Sequence, residues 1–420
     1  LFGTLQRIIS PDVAGVLPKM SFHLNLRSLV YSLSDALDLV GVDELHHGKR
    51  VASMSVDIAR TAGFDEDELD DLFIAALLHD CGVSKTKTFQ TLNKELEWEG
   101  AADHCEKGYE LLKSCELLSE YADVIRYHHT PWEELGQLGL DRKTVEHANC
   151  IYLADRVDAL ISQHAGYQMV GVRDEIRDTI IGMSDRHFSS ILVMAFVDAS
   201  VHDSFWLDLS WESMQGPMLE WVRHGDSRPM DYSYIKQIAV MFSAIVDAKS
   251  GFTRDHSRGV ASAAAFLGEK CGLSDNSCRR LEIAGLLHDI GKLRVPDHIL
   301  DKPMTLTRDE FAIMQRHSFD TFSIIGKIHG MEDIAQWAGD HHTKMRHADD
   351  KHQLSLEARI LAVADVFQAL SQDRPHRKAR TLNETMSLID EMVNDDQLDQ
   401  SVVTCLHENK DACWDTARTA

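Results

Sequence analysis

The chain has little of what several protein classes require. Proline is scarce, with eight residues in 420, so a proline-rich linker architecture is excluded. None of the eight cysteines (81, 105, 115, 150, 271, 278, 405, 413) forms a CxxC pair. That excludes a zinc ribbon or a thioredoxin-type motif and suits reduced thiols in a cytoplasmic protein. No apolar run reaches membrane-spanning length; Ile191–Val197 is too short. No signal-peptide pattern opens the chain, and its start at Leu1 rather than Met leaves room for a native segment before it. Positive charge is short as well. With 43 Lys and Arg against 67 Asp and Glu, the net charge of −24 argues against binding a nucleic-acid polymer. GxSxG, P-loop and GxGxxG patterns are missing, so a serine nucleophile or a glycine-rich phosphate loop is not expected.

What is abundant is histidine, 23 residues, and much of it recurs. His47, His79-Asp80, His104, His128-His129 and Asp155 return as His256, His288-Asp289, His317, His341-His342 and Asp365. A shift of 209 superimposes 47–80 on 256–289, 213 carries His104 and His128-His129, and 210 carries Asp155. Such a repeat predicts two main domains. Their boundaries fall at 1–22 for an irregular leader and 23–215 for the first domain with linker helices. The second domain covers 216–395, and 396–420 is a polar tail that frays.

The fold class is all-α. Leu26, Leu29, Val30, Leu33, Leu37 and Val40 follow three- and four-residue steps up to Gly41. Asp65–Leu69 reads as an acidic helix start, and a long helix spans about Tyr232 to Lys249. Leu72, Ile74, Ala75, Leu77 and Leu78 match Leu281, Ile283, Ala284, Leu286 and Leu287, and Gly82 and Gly291 follow the two His-Asp pairs. The stretch 175–230 joins the copies and turns irregular around Trp206, Trp211, Gly216 and Pro217. Its tryptophans are expected to pack between the domains. Cys81 and Cys105 follow candidate ligands and read as small buried side chains.

A lone histidine on a helix is more often a core or surface residue than a ligand. Recurrence of the whole set reverses that reading; His46, His164, His329 and His347 have no counterpart and stay outside it. A nitrogen–oxygen donor set without thiolate suits iron, manganese, nickel or zinc in a reactive rather than structural site. Adjacent residues on a helix diverge by about 100°, so His288 and Asp289 can share a site only at a helix end or through a bridging carboxylate. Two close ions activate water and clamp a phosphate oxygen, which points to phosphoester hydrolysis.

The arrangement resembles the HD superfamily of metal-dependent phosphohydrolases, and within it the bacterial HD-GYP branch in tandem form, from about Ser21 to Asn394. The second half carries the specific text: Asp255-His256-Ser257-Arg258, His288-Asp-Ile-Gly-Lys292, Val295-Pro296, Lys302-Pro303, Leu306-Thr307, and Asp373-Arg374-Pro-His-Arg377. The resemblance implies two tandem HD-type helical domains and hydrolysis of a 3′,3′-cyclic dinucleotide, cyclic GMP-AMP or cyclic di-GMP, to a linear dinucleotide. It implies one ion on His256, His288, Asp289 and Asp365 and another on Asp289, His317, His341 and His342. Lys292, Arg374 and Arg377 would grip phosphate oxygens. Phe252 stands where some relatives place a glutamate for a third ion, so two divalent transition metals are expected.

The chain departs from the family after His341-His342, where the Gly-Tyr-Pro stretch is missing, and at His376 and Gln368. These changes touch substrate identity rather than ligands. In the first copy Val83, His164 and Tyr167 replace the three phosphate-binding cations. That site is open to three readings: a 5′-nucleotidase, a regulatory nucleotide site, or a metal-stabilised structural domain. For the whole chain, a nucleotidase or nucleoside-triphosphate phosphohydrolase and a non-catalytic nucleotide-sensing scaffold are the rival readings.

Overall fold

The doubled helical pattern is realised almost residue for residue in the computed structural model, which describes residues 21–42, 46–94, 100–164, 169–249, 255–347, 353–372 and 378–418. Helices His47–Ala62 and Glu66–Leu78 of the first domain correspond to His256–Lys270 and Asp275–Leu287 of the second. The acidic start at Asp65 is a capping box: Asp65 accepts from the Glu68 backbone N–H while Glu68 reaches back to the Asp65 N–H. Ser274 caps the second copy's equivalent helix. The five matched apolar positions on each are buried, so both helices run through the core of their domain.

Two short strands, Ser21–Asn25 and Ser227–Asp231, pair antiparallel. Each leads into the first long helix of its domain, Leu26–Asp38 or Tyr232–Lys249. Ser21 and Phe22 therefore belong to a strand rather than to a leader. The joining stretch is more helical than its glycine and proline content suggests. Trp211–Arg223 is one helix with Pro217 inside it, held by buried Met214 and Met218. Its tryptophans pack on the first domain and its linker helices rather than between the domains. Trp221 meets Phe73 edge-on at 4.6 Å and donates to Asp70, and Trp211 stacks on His46 at 3.9 Å. Trp206 is fully buried and donates to Ser200 O.

The polar tail does not fray. Gln400–Arg418 is helical with a kink at Asn409 and buries Val402, Val403, Leu406, Cys413 and Ala417, packing chiefly on helix His256–Lys270. Its apolar residues recur at helical spacing, which counts for more than its polar average. All eight cysteines are free, and Cys81 and Cys105 are buried. No helix among the described residues is long and apolar enough to cross a membrane.

Several contacts tie the domains together, including the paired strands, the Lys327–Asp35 ion pair and a buried knot at Asp297. Asp297 accepts from the Thr86 and Lys87 backbone N–H groups, closing the N-terminus of helix Thr86–Lys94. The fully buried Lys249 donates to Thr86 Oγ1 at 3.0 Å and pairs with Asp297 at 3.3 Å.

Candidate metal centres

Each domain gathers its repeated ligands into one buried cluster. In the second, His256 is the first residue of its helix, preceded by Asp255 in the left-handed region (φ 62°). His46, ahead of His47, does the same (φ 70°). His288 ends helix Asp275–Leu287, and Asp289 has left helical geometry (φ −103°), which removes the angular conflict between the two neighbours. Gly291 is required there by close approach. A Cβ on it would lie 2.1 Å from His317 O, and one on Gly82 would lie 2.0 Å from His104 O. Thr321 Oγ1 pins this turn, donating to His288 O and accepting from Gly291 N, both at 3.0 Å.

The histidines are aimed by their own helices. Nδ1 of His288, His317 and His341 donates to the carbonyl three residues back, of Gly285, Met314 and Ala338. That fixes the tautomer and turns Nε2 inward. Asp289 stands between two groups of ligands. Its Oδ2 is 3.2 Å from His288 Nε2, and its Oδ1 is 3.4 Å from His317 Nε2 and 3.9 Å from His341 Nε2. Asp365 Oδ1 lies 3.2 Å from His256 Nε2, and its Oδ2 3.9 Å from His342 Nδ1. Lys292 Nζ is hydrogen-bonded to Asp289 Oδ2. Arg374 and Arg377 lie outside the described residues, as do Phe252, Tyr167 and His376.

The electrostatics suit cations. Burial alone would push Asp289 up, but His288 and Lys292 hold it well below the usual carboxylate range. Burial lowers His317 to about 4 and keeps His341 well below the usual imidazole range. Those rings stay neutral, the form that coordinates. His288 goes the other way, to about 9, because Asp289 and Asp365 outweigh its burial. His288 Nε2, Asp289 Oδ1, His317 Nε2 and His341 Nε2 are buried without a hydrogen-bond partner. Four such inward-facing atoms leave buried polar groups uncompensated unless a cation fills the space, so the donor set fits metal ions.

The first cluster repeats the plan with Asp80 in the middle, 3.6 Å from His47 Nε2, 3.5 Å from His79 Nε2 and 3.5 Å from His104 Nε2. His104 and His128 approach at 3.3 Å, and Asp155 faces His47 at 3.4 Å and His129 at 3.6 Å. Several surrounding groups escaped sequence reasoning. Asp158 takes His47 Nδ1 at 2.7 Å and is gripped by Arg50, and the buried Arg156 lies 2.6 Å from Asp155 Oδ2. Thr321 and Gln372, whose Oε1 lies 3.2 Å from His256 Nδ1, were equally unforeseen. Only Asp158 had a usable signal, its place one helical turn after Asp155.

The clusters differ in access. The His342 side chain is 49% exposed, that of its counterpart His129 8%. Phe89, buried on helix Thr86–Lys94, meets His47 edge-on at 5.5 Å and closes the first site. The cavity beside that site is about 10 Å³.

Fold and clusters together define a tandem helical protein with one His/Asp metal-type centre per domain. HD-domain family models match residues 45–160 and 240–402. The 3′3′-cGAMP-specific phosphodiesterase 1 of Vibrio cholerae is 34% identical over 401 residues, 93% of each chain. The same organism's 3′3′-cGAMP-specific phosphodiesterase 3 is 26% identical, over 87% of this chain and 90% of its own. A crystal structure of a cyclic GMP-AMP-specific phosphodiesterase from V. cholerae superimposes with a TM-score of 0.63 at 24% identity, covering 93% of this chain and 98% of that one. The chain belongs to the HD-domain family and carries two HD domains in tandem.

Proposed function

We propose that this protein is a metal-dependent phosphodiesterase that opens a 3′,3′-cyclic dinucleotide to a linear dinucleotide at the second cluster, in the cytoplasm. The observation that carries this reading is Asp289, placed between two histidine groups and hydrogen-bonded to Lys292, at a site open to solvent through His342. His256, His288, Asp289 and Asp365 would hold one ion, and Asp289, His317, His341 and His342 the other. The donor set suits iron, manganese or nickel. When bound, such ions supply Lewis acidity, acidifying water and neutralising charge at phosphorus.

The chain's own residues set the rest. Asp289, kept ionised, holds the two ligand groups at one point. Lys292, partly exposed beside it, is placed to offer its ammonium to a phosphoryl oxygen as negative charge develops there. Water oxygen adds to phosphorus, the P–O3′ bond breaks, and the departing 3′ oxygen takes a proton. Arg374 and Arg377 would seat the second phosphate. Cyclic GMP-AMP is the substrate we favour, because the relatives that match over nearly the whole chain carry that specificity in their names.

For the first cluster we propose a metal-stabilised structural domain. Phe89 packs edge-on against His47, and Val83, His164 and Tyr167 stand where the second copy has its phosphate-binding cations. Incubation with cyclic GMP-AMP, cyclic di-GMP and a mononucleotide panel in Mn²⁺ or Fe²⁺, followed by chromatography, tests the assignment. Linear product from a cyclic dinucleotide supports it, and turnover of mononucleotides alone would replace it with a nucleotidase.

A further inference from the structure

A cleft of about 490 Å³ lies where the domains meet, between helix Ala101–Lys113 and the turn after His79-Asp80 on one side and helices Tyr232–Lys249 and His256–Lys270 on the other. Its charged lining is Lys85, Lys107 and Arg258 against a single acid, Glu110. In a chain of net charge −24 that balance is reversed.

The duplication supplies an internal control. A second interdomain cleft, about 120 Å³, is lined by Asp35, Asp38, Arg294, Asp320 and Lys327. The repeat relates the two: a shift of 209 carries Asp35 onto Ala244 and Lys85 onto Arg294, and 213 carries Lys107 onto Asp320. In the smaller cleft every charge is answered. Lys327 pairs with Asp35 at 2.5 Å, Arg294 with Asp320 at 3.2 Å, and Lys49 with Asp35 and Asp38 at 2.6 Å each. In the larger, Ala244 and Lys107 stand where those acids were. Lys107 has no carboxylate partner among the described residues, Arg258 meets only Asp255 at 4.0 Å, and Lys85 is held by Lys249 O and Asp301. Leu111 and Val240, both partly exposed, add an apolar wall, with Met241 and Ile245 buried behind it.

We infer that this cleft binds a nucleoside monophosphate, at a site separate from both His/Asp clusters. The phosphate takes the place of the missing acids among Lys85, Lys107 and Arg258, and the base lies on Leu111 and Val240. A charge-assisted contact is roughly twice as strong as a neutral one, and the volume falls in the range of small-ligand pockets.

Equilibrium dialysis of the full chain with GMP, AMP and inorganic phosphate tests this. In the Asp289→Ala variant, one nucleotide per chain should still bind. Adding Ala244→Asp, which restores the counterpart's acid, or the exposed-surface change Lys107→Glu, should weaken that binding at least tenfold. In an otherwise wild-type chain, Ala244→Asp should remove one binding equivalent. Failure of all three probes to saturate would overturn the inference. So would phosphate binding without nucleotide binding, or unchanged affinity in folded Ala244→Asp and Lys107→Glu proteins.

Discussion

His47 Nδ1 lies 2.7 Å from Asp158 Oδ2, while the matching histidine of the second domain, His256, faces the neutral Gln372 at 3.2 Å. A carboxylate behind a ligating histidine raises its basicity and fixes its ring. Asp158 is held ionised by Arg50 and His47 against its own burial. We therefore expect Asp158→Asn to weaken metal retention in the first domain by about 10–100-fold. Metal analysis after dialysis should show that loss while second-domain hydrolysis persists. Full retention of metal would contradict it.

Lys292 should act on the transition state rather than on metal binding. Lys292→Met is expected to lower kcat by about 10²–10³ with KM nearly unchanged and metal content intact. Loss of metal in step with activity would make Lys292 a structural partner of Asp289.

Gly291 and Gly82 make a stability prediction. Each sits where a Cβ would meet a backbone carbonyl at about 2 Å, which a flexible side chain cannot relieve. Gly291→Ala should cost about 1–3 kcal/mol or more, read as a lower Tm together with lost activity, because the same turn carries His288 and Asp289. A variant with unchanged Tm would show that the turn can yield.

Much of this was legible in the sequence because the signal was doubled. Ligand order, helix starts and apolar faces each appear twice, so a single-copy coincidence could be discarded. What stayed hidden depends on contacts between distant segments. Nothing in the spacing of Phe89 says that it covers His47. Thr321 becomes visible only once helix Arg308–Ile325 lies against the turn at Gly291. The helix Gln400–Arg418 was obscured by its polar average, and Pro217 by a breaker rule that packing overrides. The copies already differed in sequence at the phosphate-binding positions; the structure adds that His342 is far more exposed than His129 and that Phe89 packs against His47.

His147 provides a pH test away from the ligands. It is buried against Phe64 at 5.8 Å, its Nε2 has no hydrogen-bond partner, and burial pushes it down to about 4, with Lys143 adding to the effect. Its folded value lies below the unfolded value of about 6.5, so the unfolded chain binds more protons between them. The stabilisation is complete above about pH 6.5 and is lost as pH falls through about 4, at most about 3 kcal/mol. Denaturant unfolding from pH 7 to 4 should show a shallower loss in His147→Phe than in the wild type. Parallel curves would contradict the assignment.

The most direct test compares linear dinucleotide formation from cyclic GMP-AMP by the wild type, Asp289→Ala and Asp80→Ala proteins, each loaded with Mn²⁺ or Fe²⁺. Product is expected from the wild type and from Asp80→Ala, and none from Asp289→Ala. Activity that survives in Asp289→Ala but disappears in folded Asp80→Ala would place the chemistry in the first domain and contradict its assignment to the second.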